Sequence, residues 1–147
     1  MFEYLHKYIC DSKEEQKESF SFYQISQEEI DEAEQRLGIA FPEQLRLFYE
    51  EVGYGFFYDK DGCFTDVLMK PSDVVDYRLG EGDYEYAEER DFLSNEDLVF
   101  FEVDADVHIY LKISGKNSGC VYFGKRKIAK SIQEFVAKIY DKSNYFI

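Results

Sequence analysis

Asp104, Asp106 and His108 recur at every second position, and two carboxylates and an imidazole on one side of a strand could ligate a transition metal. Asp104 follows the end of an apolar run, where a turn is expected, and the other histidine in the chain is His6. We therefore expect solvated turn and strand-face residues here, with no metal and no other cofactor. Asp59-Lys60-Asp61-Gly62 has the residue types of a calcium loop but the wrong register. With Gly62 as loop position six, positions one and twelve fall on Phe57 and Leu68, which cannot ligate. No serine lies in a G-x-S-x-G context, and neither histidine is placed near a candidate nucleophile. Gly53-Tyr54-Gly55 and Gly80-Glu81-Gly82 precede no helix bearing Lys and Ser/Thr, and the flanking acids would repel a phosphate. The expectation is a protein that is not an enzyme.

Binding chemistry is better supported. Glu81, Asp83, Tyr84, Glu85, Tyr86, Glu88 and Glu89 alternate acid with aromatic. Tyrosine offers a stiff contact surface with little rotamer entropy to lose, and carboxylates around it select basic partners. The net charge is −14, and its distribution sharpens the point: residues 81–106 carry 11 acids and one base, whereas residues 107–147 carry 2 acids and 8 bases. Phosphate binding needs clustered Lys and Arg, so nucleic acid is not expected as a direct ligand. A basic protein would be steered to the middle of the chain, and we assign Glu81, Asp83, Tyr84, Glu85, Tyr86, Glu88, Glu89, Asp104 and Asp106 to its contact surface. Lys125, Arg126, Lys127 and Lys130 form a small basic cluster at the turn before the last helix, read as solvated surface.

These residues must be held by elements that the apolar spacing reveals. Ser26 and Glu29 form a capping box with Ile25 and Ile30 as its staple; Ile30, Ala33 and Leu37 make an apolar face, and Gly38 ends the helix. Pro42 opens a second helix on Leu45, Phe48, Tyr49 and Val52, with Gly53 and Gly55 ending it. A short helix is expected over Phe2 to Ile9, followed by an exposed connection. Phe56 to Tyr58 and Cys63-Phe64 read as a hairpin, and Pro71-Ser72-Asp73 starts a helix carrying Val74, Val75 and Leu79. Strands follow over Leu98 to Val103, Val107 to Ile113 and Cys120 to Phe123, and Ser131 with Glu134 caps a last helix. The strand connections are too short for parallel crossovers, so the fold class is α+β, a mostly antiparallel sheet flanked by helices, in a single domain over residues 1–147. Cys10, Cys63 and Cys120 are odd in number and widely spaced, which predicts reduced packing residues. No run approaches the roughly 20 apolar residues of a membrane span, and Met1-Phe2-Glu3-Tyr4 lacks the form of a secretion signal. No membrane association is expected, and the location predicted is cytoplasmic.

An acidic capped helix ending in Leu-Gly, then a hydrophobic-Pro step, a helix with paired aromatics and a Gly-rich exit together resemble the SUKH superfamily, which includes the yeast Smi/Knr regulators and many bacterial immunity proteins. The matching residues are Ile30, Glu34, Leu37, Gly38, Phe41, Pro42, Phe48, Gly53 and Gly55. Ile128 to Val136 resembles the family's last strand end and terminal helix. Two features depart from the family pattern: Val52-Gly53-Tyr54-Gly55 replaces Asn-Gly, and Asp104-Ala105-Asp106 replaces Gly-Asp/Asn before a central strand. The resemblance implies a Smi/Knr-like fold and a non-catalytic immunity protein that neutralises a cognate toxin, commonly a nuclease. It also leaves open a regulatory module binding several proteins. Long flexible extensions would suit that module and are absent from the sequence. Monomer and homodimer both remain open at this point.

Overall fold

The computed structural model describes residues 1–58, 65–85, 93–104 and 107–147. Helix α1 (Gln27–Leu37) starts where the Ser26 hydroxyl accepts the Glu29 N–H, and it ends at Gly38, whose φ of 82° is left-handed. The break before α2 (Glu43–Glu51) is held by Glu34, which accepts the Phe41 N–H at 2.6 Å and pairs with Arg46. Leu45, Phe48, Tyr49 and Val52 are all buried, as their spacing predicts. Helix α3 (Pro71–Leu79) has proline in its first turn and a left-handed Gly80 at its end. It buries Pro71, Val74, Val75 and Tyr77, but Leu79 is 41% exposed and not on the core face, so Tyr77 takes the place expected of it. In α4 (Ile132–Asp141) Ser131 accepts the Glu134 N–H, and Ile132, Phe135, Val136 and Ile139 turn inward. The N-terminal helix is a short 3-10 segment, Glu3–Tyr8.

Among the described residues seven strands form one antiparallel sheet in sequential order: β1 (Phe20–Tyr23), β2 (Tyr54–Tyr58), β3 (Thr65–Leu68), β4 (Asp97–Val103), β5 (Val107–Lys112), β6 (Val121–Phe123) and β7 (Arg126–Ala129). The α+β expectation holds. Three details differ from the sequence reading. β1 was not anticipated, because a four-residue run after a polar stretch has too few alternations to declare itself. Gly55 lies inside β2 and does not end the preceding helix. Arg126 and Lys127 belong to β7 and are not turn residues. The hairpin turn expected at Asp59 to Gly62, with Cys63 and Phe64, lies outside the described residues.

Register divides the sheet into two faces. Phe22, Phe57, Leu68, Phe101, Ile109 and Leu111 point into the core, where ring contacts link Phe22 to Phe57 at 5.4 Å, Phe57 to Phe101 at 5.4 Å and Phe101 to Phe135 of α4 at 5.0 Å. Each such ring is worth about 1.5–3 kcal/mol in burial alone, and through Phe135 this chain of rings joins buried Ile132, Val136 and Ile139 in holding α4 to the core. Asp97 to Phe101 are buried without alternation. A bulge between Val99 and Phe101 shifts the register there.

Candidate functional site

The turn leaving α3 creates the site. After Gly80 the chain forms a 3-10 turn, Gly82–Tyr84, which lays the Tyr84 ring against Tyr77 (5.1 Å) and His108 (6.1 Å). Tyr77 and His108 are themselves 4.7 Å apart. The Tyr84 hydroxyl donates to Glu102 at 3.3 Å, and Glu102 lies 3.4 Å from Nε2 of His108, its cross-strand partner in register. Tyr84 is thus packed on one side and bonded at its tip. Glu81, Asp83 and Glu85 around it are exposed.

Arg36 of α1 donates to Asp76 at 2.6 Å and to Glu81 at 2.8 Å, which ties the end of α3 to α1 and partly neutralises Glu81. Asp83 and Glu85 therefore present more of the site's negative charge. Asp104 stands at the turn after β4 with φ of 47°, and its N–H donates to Asp66 of β3 at 3.1 Å. Asp104 is thus at a turn, as the sequence suggests, and His108 is engaged elsewhere. Among the described residues no group of three or more His, Cys, Asp or Glu is placed to hold a metal ion. His6 bonds Glu51 at 3.0 Å.

Two groups of the site, Tyr84 and Asp73, feel the carboxylates around them. Burial first, then Glu102 and Asp73, hold the Tyr84 hydroxyl well above the ordinary phenol range. Burial likewise raises Asp73; Lys70 opposes that, while Asp76, Glu102 and Asp83 add to it. Asp73, Asp76 and Glu102 thus belong to the acidic surface with Asp83, and sequence reasoning missed all three; Asp66 and Asp104 are joined to each other. The three come from α3 and β4, and only cross-strand register and helix docking bring them to the segment that composition had singled out. Tyr86, Glu88, Glu89 and Asp106 lie outside the described residues.

Beside this surface is a cavity of about 370 Å³, with Tyr77, Val99, His108 and Tyr110 in its wall and Lys125 in its lining. The basic residues gather at the β7 edge of the sheet, with Lys125 reaching the cavity. Lys125, Arg126, Lys127 and Lys130 are exposed on and around β7, with Arg126 donating to the Phe146 carbonyl. No helix among the described residues is long and apolar enough to cross a membrane.

Residues 24–138 match the SMI1 / KNR4 family (SUKH-1). The chain is also similar to the protein named Immunity protein YxxD of Bacillus subtilis (strain 168), 33% identical over 129 residues that span 86% of this chain and 87% of that protein. No solved structure matches the chain.

Proposed function

This chain belongs to the SMI1 / KNR4 family (SUKH-1), and from that membership we propose that it is an immunity protein, which binds a cognate toxin and neutralises it without catalysis. The observation that carries the reading is the likeness to an immunity protein along nearly the whole of both chains. A single-partner inhibitor needs a preformed surface with a strong selective field. The acids gathered from α3, β4 and the Gly82–Tyr84 turn supply one, around a tyrosine whose ring is already packed and so loses little freedom on binding. The partner such a surface fits is a basic toxin domain, of which nucleic-acid-directed enzymes are one class, since proteins that handle phosphate backbones carry clustered cations. Neutralisation is then steric and electrostatic, by covering the toxin's basic face.

The test is capture of host proteins on the tagged chain at low and at high salt, with bound polypeptides identified by mass spectrometry. One basic polypeptide that is retained at low salt and released at high salt, and that arrests growth when expressed alone, supports the reading. Retention of many unrelated proteins would replace it with a multi-partner regulatory module. Elution unaffected by salt would remove its electrostatic part.

A further inference from the structure

The sheet face opposite Phe57 and Phe101 carries aromatic side chains outside the main core cluster; it is covered at one end, where Ser21 is buried and bonded to Lys17, and at the other, where Tyr77 and Tyr84 pack on His108. Ser21, Phe56, Val67, Glu102 and His108 are successive cross-strand partners on β1 to β5, so they form one row on the face opposite Phe57 and Phe101. Tyr23 pairs with Tyr54, and Tyr58 with Thr65, on the same face. Tyr54, Phe56, Tyr58 and Val67 are each half-buried, and none belongs to the hydrophobic cluster of the core or packs against it. The rings support one another instead: Phe56 stacks on Tyr58 with centroids 6.3 Å apart and planes 9° apart, and Tyr23 meets Phe56 at 6.0 Å and Tyr54 at 5.6 Å.

Along the row this aromatic strip runs directly into carboxylates. Val67 is followed by Glu102, which Tyr84 bonds, and Asp83 and Asp73 lie beside Tyr84. Lys70 is the cation beside Asp73. Flat π faces next to acceptor oxygens are the complement of one side chain above the rest. A guanidinium is planar, stacks on rings, and offers a fork of donors to carboxylates, whereas an ammonium has the charge without the plane.

We propose that the outward sheet face around Tyr54, Phe56 and Tyr58, continuous with Glu102 and Tyr84, is a docking surface for an arginine-rich segment of a basic partner protein. The identity of that protein as a toxin rests on the function proposed above, but the surface chemistry does not. Arginine planes of the segment lie on Phe56 and Tyr58, while a neighbouring arginine of the same segment directs its N–H groups to Glu102. The preference for arginine over lysine comes from the rings, and the overall attraction comes from the acids.

Two synthetic peptides of equal length, one alternating arginine with glycine and the other lysine with glycine, test this by titration into the isotope-labelled full chain, followed by two-dimensional NMR. The expected result is saturable movement of the amides of Phe56, Val67, Glu102 and Tyr84, with the arginine peptide binding about threefold to fivefold more tightly than the lysine peptide. Phe56→Leu keeps the apolar bulk and removes the ring, and it abolishes most of that preference. Glu102→Gln weakens both peptides and leaves their ratio standing. Equal affinities in the native chain, or movements confined to other surfaces, would overturn the proposal. So would concentration-dependent self-association that places the basic β7 edge of a second copy on this face. Failure of the chain to relieve toxin arrest, with the arginine preference intact, would remove the immunity reading and leave this surface in place.

Discussion

At the scale of single residues, three glycines carry most of what is strict about this chain, and for different reasons. Gly53 has φ of +111°, and a Cβ there would lie 1.9 Å from the Tyr23 carbonyl oxygen; a Cβ on Gly55 would lie 2.2 Å from the Ser21 oxygen. Both contacts are with backbone of β1, which no rotamer change relieves. Gly38 also has positive φ, but its Cβ position is open. Gly55→Ala should therefore destabilise the fold by about 3 kcal/mol or more, whereas Gly38→Ala should cost about 1–2 kcal/mol, measured by urea unfolding at equal protein concentration. Near-equal costs would contradict the close approach of β1 to β2. Sequence reading places all three glycines as helix terminators, and Gly38 alone acts purely as one. The other two are required by a strand 30 residues earlier that the sequence did not declare.

Among the elements, the helix caps are the most legible feature and β1 the least. Ser26 and Ser131 each accept the N–H three residues on, because a hydroxyl placed there meets an otherwise orphan donor of its own helix and needs no distant partner. Ser131→Ala should lower stability by about 1 kcal/mol. Glu134 adds a pH signature. The Lys130 N–H at 2.5 Å lowers its carboxyl below the usual range; burial opposes this, and Lys138 at 3.5 Å adds to the lowering. A depressed carboxyl contributes stability that is present above its unfolded value, near 4.5, and is lost as pH falls through the lower folded value. The stability deficit of Glu134→Gln should thus be full at neutral pH and close on acidification below that range. A deficit that persists unchanged at low pH would argue that the carboxylate charge is irrelevant. β1 lacks such local signals: Phe20-Ser21-Phe22-Tyr23 becomes a strand only because β2 returns to it after two helices.

At the scale of the whole molecule, acids gather around Tyr84 and bases on and around β7, and this arrangement connects fold to the function proposed. The acid-rich segment was legible in composition, because alternating Glu, Asp and Tyr need no structure to be noticed. Its extent was not legible, because Asp73, Asp76 and Glu102 join it through register and helix docking. Replacing Asp83 and Glu85 with amides should slow association with a basic partner about tenfold at low salt and flatten the salt dependence of the rate, read by stopped-flow or surface binding. Arg36→Gln should act in the opposite sense by freeing the charge of Glu81. The most direct measurement is growth of cells that express the basic polypeptide captured by this chain, with and without the chain co-expressed. The account predicts arrest by the polypeptide alone and full growth when the chain is present, with rescue weakened by the Asp83 and Glu85 amides. Continued arrest despite a stable complex, or rescue by a chain that no longer binds, would contradict it.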